Sequence, residues 1–265
     1  MSSAADERAE LGARIAAWIT AWAGGDGLEQ VDHDARFEAI AGDLFRWQYE
    51  HIATYRRFCD QRGVTPATDM TVDRIPLVPV GVFKRFSLST DAAALCSAFV
   101  FETSGTSDGR PGVVRLADAD LYDASLYASF ERFCVPGAAD GSLRCISLVP
   151  ERALRPCSSL GHMVDRVCAR WDDGGGGWYL RQGDDDSADG VIALDRLLED
   201  LRSAVADGTP VLILATSIAL SFLLERWPDG LQIRLPAGSR LMDTGGPKGR
   251  GVAIDRAGQH KALAH

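Results

Sequence analysis

Lysine is almost absent from this chain of 265 residues: it occurs only at Lys84, Lys248 and Lys261, and arginine carries the rest of the positive charge. Basic residues as a whole are in deficit, 28 Lys and Arg against 37 Asp and Glu, for a net charge of −9. A general nucleic-acid or anionic-membrane surface needs a basic face, so neither is expected, and any phosphate recognition has to be local. There is no C-x-x-C pair. Cys59, Cys96, Cys134, Cys145, Cys157 and Cys168 are widely spaced, several in apolar surroundings, and read as reduced core thiols rather than a disulfide framework. The longest apolar run, Pro210 to Leu224, is broken by Thr216, Ser217 and Ser221 and is too short to span a bilayer. No targeting segment is visible at Met1-Ser2-Ser3, so a cytoplasmic location is expected. No strand is followed by G-x-G-x-x-G, which disfavours a dinucleotide oxidoreductase. No Ser-His-Asp set can be assembled, and no metal-ligand spacing stands out: Asp184-Asp185-Asp186 lacks further spaced oxygen ligands.

What is present alternates helix and strand. Ala4 to Trp22 carries Leu11, Ile15, Trp18, Ile19 and Trp22 at helical spacing, and a second helix is expected from about Asp34 to Arg62 on the stripe Phe37, Ile40, Leu44, Trp47, His51, Tyr55, Phe58. A lone histidine on such a stripe, His51, reads as structural. Ile75 to Phe86 holds Pro76 and Pro79, which fix an extended connector ending near Lys84, itself read as a solvated charge. Further along, Ala98 to Phe101 is a strand candidate, Leu116 to Phe133 a helix, Leu143 to Val149 a buried strand, and Ser158 to Asp165 the start of a helix with a serine N-cap. Asp172 to Gly177 reads as a flexible connector. Ile192 to Val205 is a helix, Thr209 to Thr216 a buried strand, Ile218 to Trp227 a helix and Ser239 to Thr244 a strand. The pattern predicts an α/β fold, a mostly parallel sheet with flanking helices preceded by an N-terminal helical segment. The division expected is a helical segment over 1–74 and an α/β domain over 75–265.

Two glycine-rich stretches leave predicted strand ends, where ligands of open α/β sheets collect. In the first, Thr103, Ser104, Gly105, Thr106, Ser107 and Gly109 combine hydroxyl donors with glycines that accept unusual backbone geometry. Such a loop can wrap a polyphosphate, yet the same residue types form ordinary surface turns, and composition alone leaves both readings open. The second, Thr244-Gly245-Gly246, repeats the logic, and the two are expected along one edge of one sheet.

Taken together, three stretches resemble the acyl-protein synthetases of the LuxE type, within the adenylate-forming (AMP-binding) superfamily. Ile75 to Lys84 follows the pattern I-P-x-x-P-x-x-V-F-K, Thr103 to Gly109 resembles the S/T-S-G-T loop, and Thr244 to Gly246 is similar to the second glycine motif. The resemblance implies a truncated version of the large N-terminal domain of adenylate-forming enzymes. It also implies ATP-dependent activation of a carboxylic, fatty-type acid to an acyl-adenylate, with transfer to a protein thiol. ATP with Mg²⁺ is the implied cofactor set. Thr103 to Gly109 would take the phosphates, Thr244, Gly245 and Gly246 the AMP side, and His162 a wall of the acyl pocket. An acyl reductase or acyl-carrier protein is the implied partner, and no catalytic residue is assigned.

The match is incomplete. The superfamily loop ends in lysine, whereas here Arg110-Pro111 follows Ser107-Asp108-Gly109. The later motif for AMP and Mg²⁺, the lid domain with its lysine, and the acceptor thiol all fall beyond His265, so an incomplete ligase is expected. The alternative is a truncated, non-catalytic nucleotide-binding or partner module.

Overall fold

A computed structural model describes residues 4–24, 30–66, 70–86, 88, 99–103, 111–181, 191–245 and 256–263. Packing divides the chain into two compact units, Met1–Phe130 and Glu131–His265.

In the first unit, helix α1 (Ala4–Gly24) and helix α2 (Gln30–His51) carry the expected stripes, and Trp18 meets Phe37 with ring centroids 5.6 Å apart. The long second helix breaks at Ile52. That residue is extended (φ −111°, ψ 95°), and helix α3 (Ala53–Asp60) starts a new axis after it. The break is stabilised by Arg56, whose guanidinium donates to the carbonyl oxygens of Tyr49 and Glu50, acceptors that the end of α2 leaves exposed. His51 is structural, as its stripe position predicts: Nδ1–H donates to the Trp47 carbonyl at 2.8 Å and the two rings stack.

Phe45, Tyr55 and Cys59 form the buried centre here, and Ile75 and Val78 from the proline segment pack onto it. Tyr55 adds a polar tether, its hydroxyl donating to the Pro76 carbonyl at 3.0 Å. The segment is not extended throughout. After Pro79 it tightens into a 3-10 turn, Val80–Lys84, closed by Val82 N–H to Pro79 O and Arg85 N–H to Val82 O. Proline supplies the fixed φ that starts such a turn and needs no donor there.

Strand β1 (Phe99–Glu102) pairs antiparallel with strand β2 (Val113–Leu116), Phe99 opposite Leu116 and Glu102 opposite Val113. This corrects two expectations. β2 ends at Leu116, the residue at which a helix is predicted to start, the helix α4 (Asp120–Phe133) begins later, and β1 belongs to a hairpin rather than to the parallel sheet. The reason is chain length: a parallel neighbour needs a crossover of a dozen or more residues, and fewer than that separate Glu102 from its partner Val113.

The second unit contains the parallel sheet. Strands β3 (Arg144–Leu148), β4 (Gly177–Trp178), β7 (Val211–Thr216) and β8 (Arg240–Thr244) lie in the order β4-β3-β7-β8, every pair parallel. A separate antiparallel pair joins β5 (Leu180–Arg181) to β6 (Val191–Ile192). Helix α5 (Ser159–Trp171) connects β3 to β4, helix α6 (Leu194–Asp207) precedes β7, helix α7 (Ser217–Arg226) joins β7 to β8, and helix α8 (Arg256–Leu263) follows. Every residue of β3 is buried, as a strand covered on both faces requires. Ile146 and Leu148 pack with Leu197, Leu201, Leu220 and Leu223 of α6 and α7, while Cys145 hydrogen-bonds Cys168 of α5. Alternation along the strand therefore puts α5 on the opposite face. Each buried leucine contributes about 1.5–3 kcal/mol relative to exposure.

Chain direction changes between β3 and β7. From β3 the path goes to β4 on one side, and from β7 to β8 on the other, so the carboxyl ends of β3 and β7 form the point where a crevice opens in such sheets. The opposite end is locked by the stretch read as a flexible connector. Asp172 accepts from Cys145 N–H at 2.7 Å and Gly174 N–H at 2.9 Å, and the Arg144 guanidinium takes Asp173 at 2.8–3.0 Å and reaches Asp207 at 3.4 Å. Gly176 fits because it has no side chain: a Cβ there would lie 2.2 Å from both Asp172 Oδ1 and the Cys145 carbonyl oxygen.

Gly176→Ala is expected to cost about 2–4 kcal/mol in urea unfolding, the cost of overpacking against backbone. The Arg144 hydrogen bond holds Asp173 below its ordinary value of 3.8. Because the folded value is the lower one, this stabilisation is full above the ordinary value and is lost as pH falls through the folded value. Unfolding at pH 7 and pH 3 should therefore show a stability gap between wild type and Asp173→Asn at the higher pH that narrows at the lower.

Candidate functional site

Thr103 and Gly112 form the neck of the β1–β2 hairpin. Thr103 N–H donates to the Gly112 carbonyl at 2.9 Å, and Gly112 N–H donates back to Thr103 Oγ1 at 2.8 Å. The backbone at Gly112 is buried and closely approached. A Cβ there would stand 3.2 Å from Thr103 Oγ1 and 3.7 Å from Cγ of Lys84. The aliphatic stem of Lys84 thus lies beside the neck, and the 3-10 turn that carries it packs along β2. Of the predicted phosphate loop, Thr103 is placed in this way; Ser104, Gly105, Thr106, Ser107 and Gly109 lie outside the described residues.

Beside the neck is a cavity of about 240 Å³ lined by residues 83–86, Leu88 and residues 113–115. A larger cavity, about 510 Å³, borders β4 and includes Leu154, Trp178 and Arg196; among the described residues none of the predicted site residues lines it.

The second glycine stretch begins at the carboxyl end of β8. Thr244 hydroxyl donates to the Ala215 carbonyl at 3.4 Å, tying it to β7, and Gly245 follows, while Gly246 lies outside the described residues. Thr216 ends β7 and caps α7 by accepting from Ala219 N–H at 3.2 Å. The adjacent Ser217 hydroxyl donates to Asp243, 2.8 and 3.0 Å from its two oxygens. That carboxylate is almost fully enclosed, its side chain 2% exposed, with His260 Nε2 3.7 Å away. Gln259 of α8 donates to Ser217 O at 3.1 Å and to Ser221 Oγ at 2.6 Å, holding α8 against α7. A buried carboxylate needs donors aimed at it, and Ser217 supplies one directly.

His162 sits in the first turn of α5, after Ser158 accepts from Gly161 N–H at 3.0 Å as the predicted N-cap. It is 1% exposed. Because α5 follows β3, His162 is on the carboxyl-end side of the sheet, as are Thr244 and Gly245. Thr103 follows β1, and β1 and β8 belong to different sheets and different compact units, so the expectation of two loops along one edge of one sheet is corrected.

Charge separates the two places. Lys84, Arg85 and Arg115 border the cavity beside the neck, and among the described residues that line it there is no carboxylate. At the end of β8 the fixed charge is the Asp243 carboxylate. Phosphate oxygens suit the first, and hydroxyl or amine donors the second. Among the described residues no group of three or more His, Cys, Asp or Glu side chains is placed to hold a metal ion. Three of the described thiols are not primed for acylation. Cys59 and Cys134 are pushed up by burial and Cys145 by its hydrogen bond to Cys168 and by burial, the reverse of an activated thiolate. Cys96 lies outside the described residues.

Sequence reasoning set Lys84 aside as a solvated charge and did not single out Arg115 or the Ser217–Asp243 pair. The rarity of lysine was the available signal for the first. Nothing in the sequence joins Ser217 to Asp243, because only the register of β7 against β8 brings them together.

Residues 28–119 match the family model for the acyl-protein synthetase LuxE. The match covers α2, α3, the proline segment and the whole hairpin, including Lys84, Thr103 and Gly112, and it supports a LuxE-type segment in this part of the chain. It does not reach the sheet of the second unit. Comparison with curated proteins and with solved structures finds no match. Among the described residues no helix is long and apolar enough to cross a membrane.

The neck itself can be tested. Thr103→Val keeps the side-chain shape but removes the acceptor for Gly112 N–H, with an expected loss of about 1–2 kcal/mol. Exchange of the Gly112 amide, followed by NMR, should accelerate correspondingly.

Proposed function

We propose that this protein is an acyl-protein-synthetase-like ligase that uses ATP to activate a carboxylic acid, with a fatty acid as the favoured class, and passes the acyl group to a protein thiol. The observation that carries this reading is the meeting of two motifs in one place. The proline segment, ending in Lys84, lies against the neck of the serine- and glycine-rich loop, within the stretch that matches the LuxE family model.

The chemistry explains why such a loop is needed. A carboxylate is a poor electrophile, so its oxygen has to be aligned with the α-phosphate, and the negative charge that builds on the departing pyrophosphate has to be stabilised. Backbone amides and hydroxyls from Thr103 to Gly109 are assigned to that charge, on a neck that fixes both ends of the loop. Thr244, Gly245 and Gly246 are assigned to the AMP side, where glycine leaves a flat base free to lie on the backbone. Asp243, fixed by Ser217, holds the base of that stretch in register. His162 is assigned to the wall of the acyl pocket. Mg²⁺ would neutralise phosphate charge when bound; no step is assigned to it. An acyl reductase or acyl-carrier protein is the partner class this reaction calls for, and the reaction fits the cytoplasm.

The test is carboxylate-dependent exchange of labelled pyrophosphate into ATP. Exchange with medium- to long-chain fatty acids is expected for the wild type, and Gly105→Val is expected to lower it by at least 100-fold. Exchange that survives this substitution removes the loop from the mechanism. A chain that neither exchanges nor binds ATP in a titration is a non-catalytic module instead.

A further inference from the structure

We propose that the cavity of about 240 Å³ beside the hairpin neck is a polyphosphate-binding subsite, with Lys84 as its positioned cation and Arg85 and Arg115 as outer cations. The assignment of a polyphosphate as ligand rests on the reading of the neighbouring loop; the cation cluster and its geometry do not.

The cluster is local in a protein whose charge is otherwise acidic. With a net charge of −9, three cations around one small cavity run against the average, and one of them is among only three lysines in the chain. Their placement follows from the fold. Arg85 comes directly after the 3-10 turn that ends at Lys84, and Arg115 shares a face of β2 with Val113, two residues before it. Packing of the turn along β2 brings these separate parts of the chain to one cavity.

The three cations differ in how firmly they are held. Arg85 and Arg115 are exposed, whereas Lys84 is half-buried, its stem running beside Thr103 and Gly112. A cation on a fixed stem loses less rotamer entropy on binding than one that swings in solvent. The remaining walls are apolar, with Phe83, Phe86 and Val113 among them. Apolar walls lower the local dielectric and strengthen attraction between an ammonium and a phosphate oxygen. An ammonium also suits this task as a point charge with three rotatable donors. The sequence of the loop ends in Arg110-Pro111, not in lysine, and the stem of Lys84, from another segment, lies beside Gly112 at the neck.

Titration calorimetry of the full chain with sodium pyrophosphate and with ATP tests this, using wild type, Lys84→Gln, Arg85→Gln/Arg115→Gln and Gly105→Val, each checked for folding by circular dichroism. Lys84→Gln is expected to weaken pyrophosphate about 10- to 100-fold, the range for a lost charge-assisted hydrogen bond. The arginine pair should weaken it several-fold, with more effect at low salt than at high. Equal weakening of ATP shows that the subsite takes the polyphosphate tail of a nucleotide; weakening of pyrophosphate alone shows a site for the free anion. Binding unchanged in Lys84→Gln overturns the subsite, and if Gly105→Val abolishes binding in the same series, the phosphate-loop reading survives without it. Binding lost in Lys84→Gln but retained in Gly105→Val keeps the subsite and removes the loop. No binding of either ligand by wild type overturns the subsite. If Lys84→Gln does not fold, the arginine pair decides, unchanged affinity there counting against the subsite.

Discussion

Two hydrogen bonds between Thr103 and Gly112 fix the distance between the ends of the hydroxyl- and glycine-rich loop, and much of the first unit is arranged so that they form. The loop can present its donors to a ligand only if its ends are held. Backbone alone supplies one of the bonds and the threonine hydroxyl supplies the other. Gly112 permits the close approach, since a side chain there would meet Thr103 and the stem of Lys84. Behind the neck, Ile75 and Val78 dock on Phe45, Tyr55 and Cys59, and Tyr55 holds the Pro76 carbonyl, so helices α2 and α3 set where the proline segment runs. The helical part is thereby the platform for the proline segment that brings Lys84 to the neck.

The second unit solves a different problem. Its central strands β3 and β7 are buried and need helices above and below, and its polar work is done at the strand ends. At one end Arg144, Asp172, Asp173 and Gly176 close the sheet with a network in which each donor has a carboxylate or carbonyl to meet. At the carboxyl end Ser217 and Asp243 do so between β7 and β8, immediately before Thr244 and Gly245. A rigid base under a glycine stretch is what a binding site on an open sheet requires.

Much of this was legible in the residues. β3 and β7 announce themselves because strands covered on both faces are largely apolar runs, and Ser158 announces α5 because a serine before a helix satisfies an orphan amide. Other features were hidden for physical reasons. The stripe from Trp47 through His51 to Phe58 keeps helical spacing across Ile52, so the break depends on Arg56 capping carbonyl groups, which periodicity does not report. β2 is short, holds Arg115 and leads straight toward a helix, and only its partner β1 makes it a strand. Asp172 to Gly177 has the composition of a linker, yet its aspartates have buried partners elsewhere in the chain. Of the site, the loop motifs and the family resemblance were visible, whereas the separation of the two glycine stretches into different sheets was not.

The central claim is that the 80–84 turn and the 103–112 loop act as one phosphate-binding element. Hydrogen–deuterium exchange of the full chain with and without saturating ATP reads it directly. Protection should rise together in peptides covering 80–88 and 100–115. Unchanged exchange in both of those peptides at saturation would contradict the account.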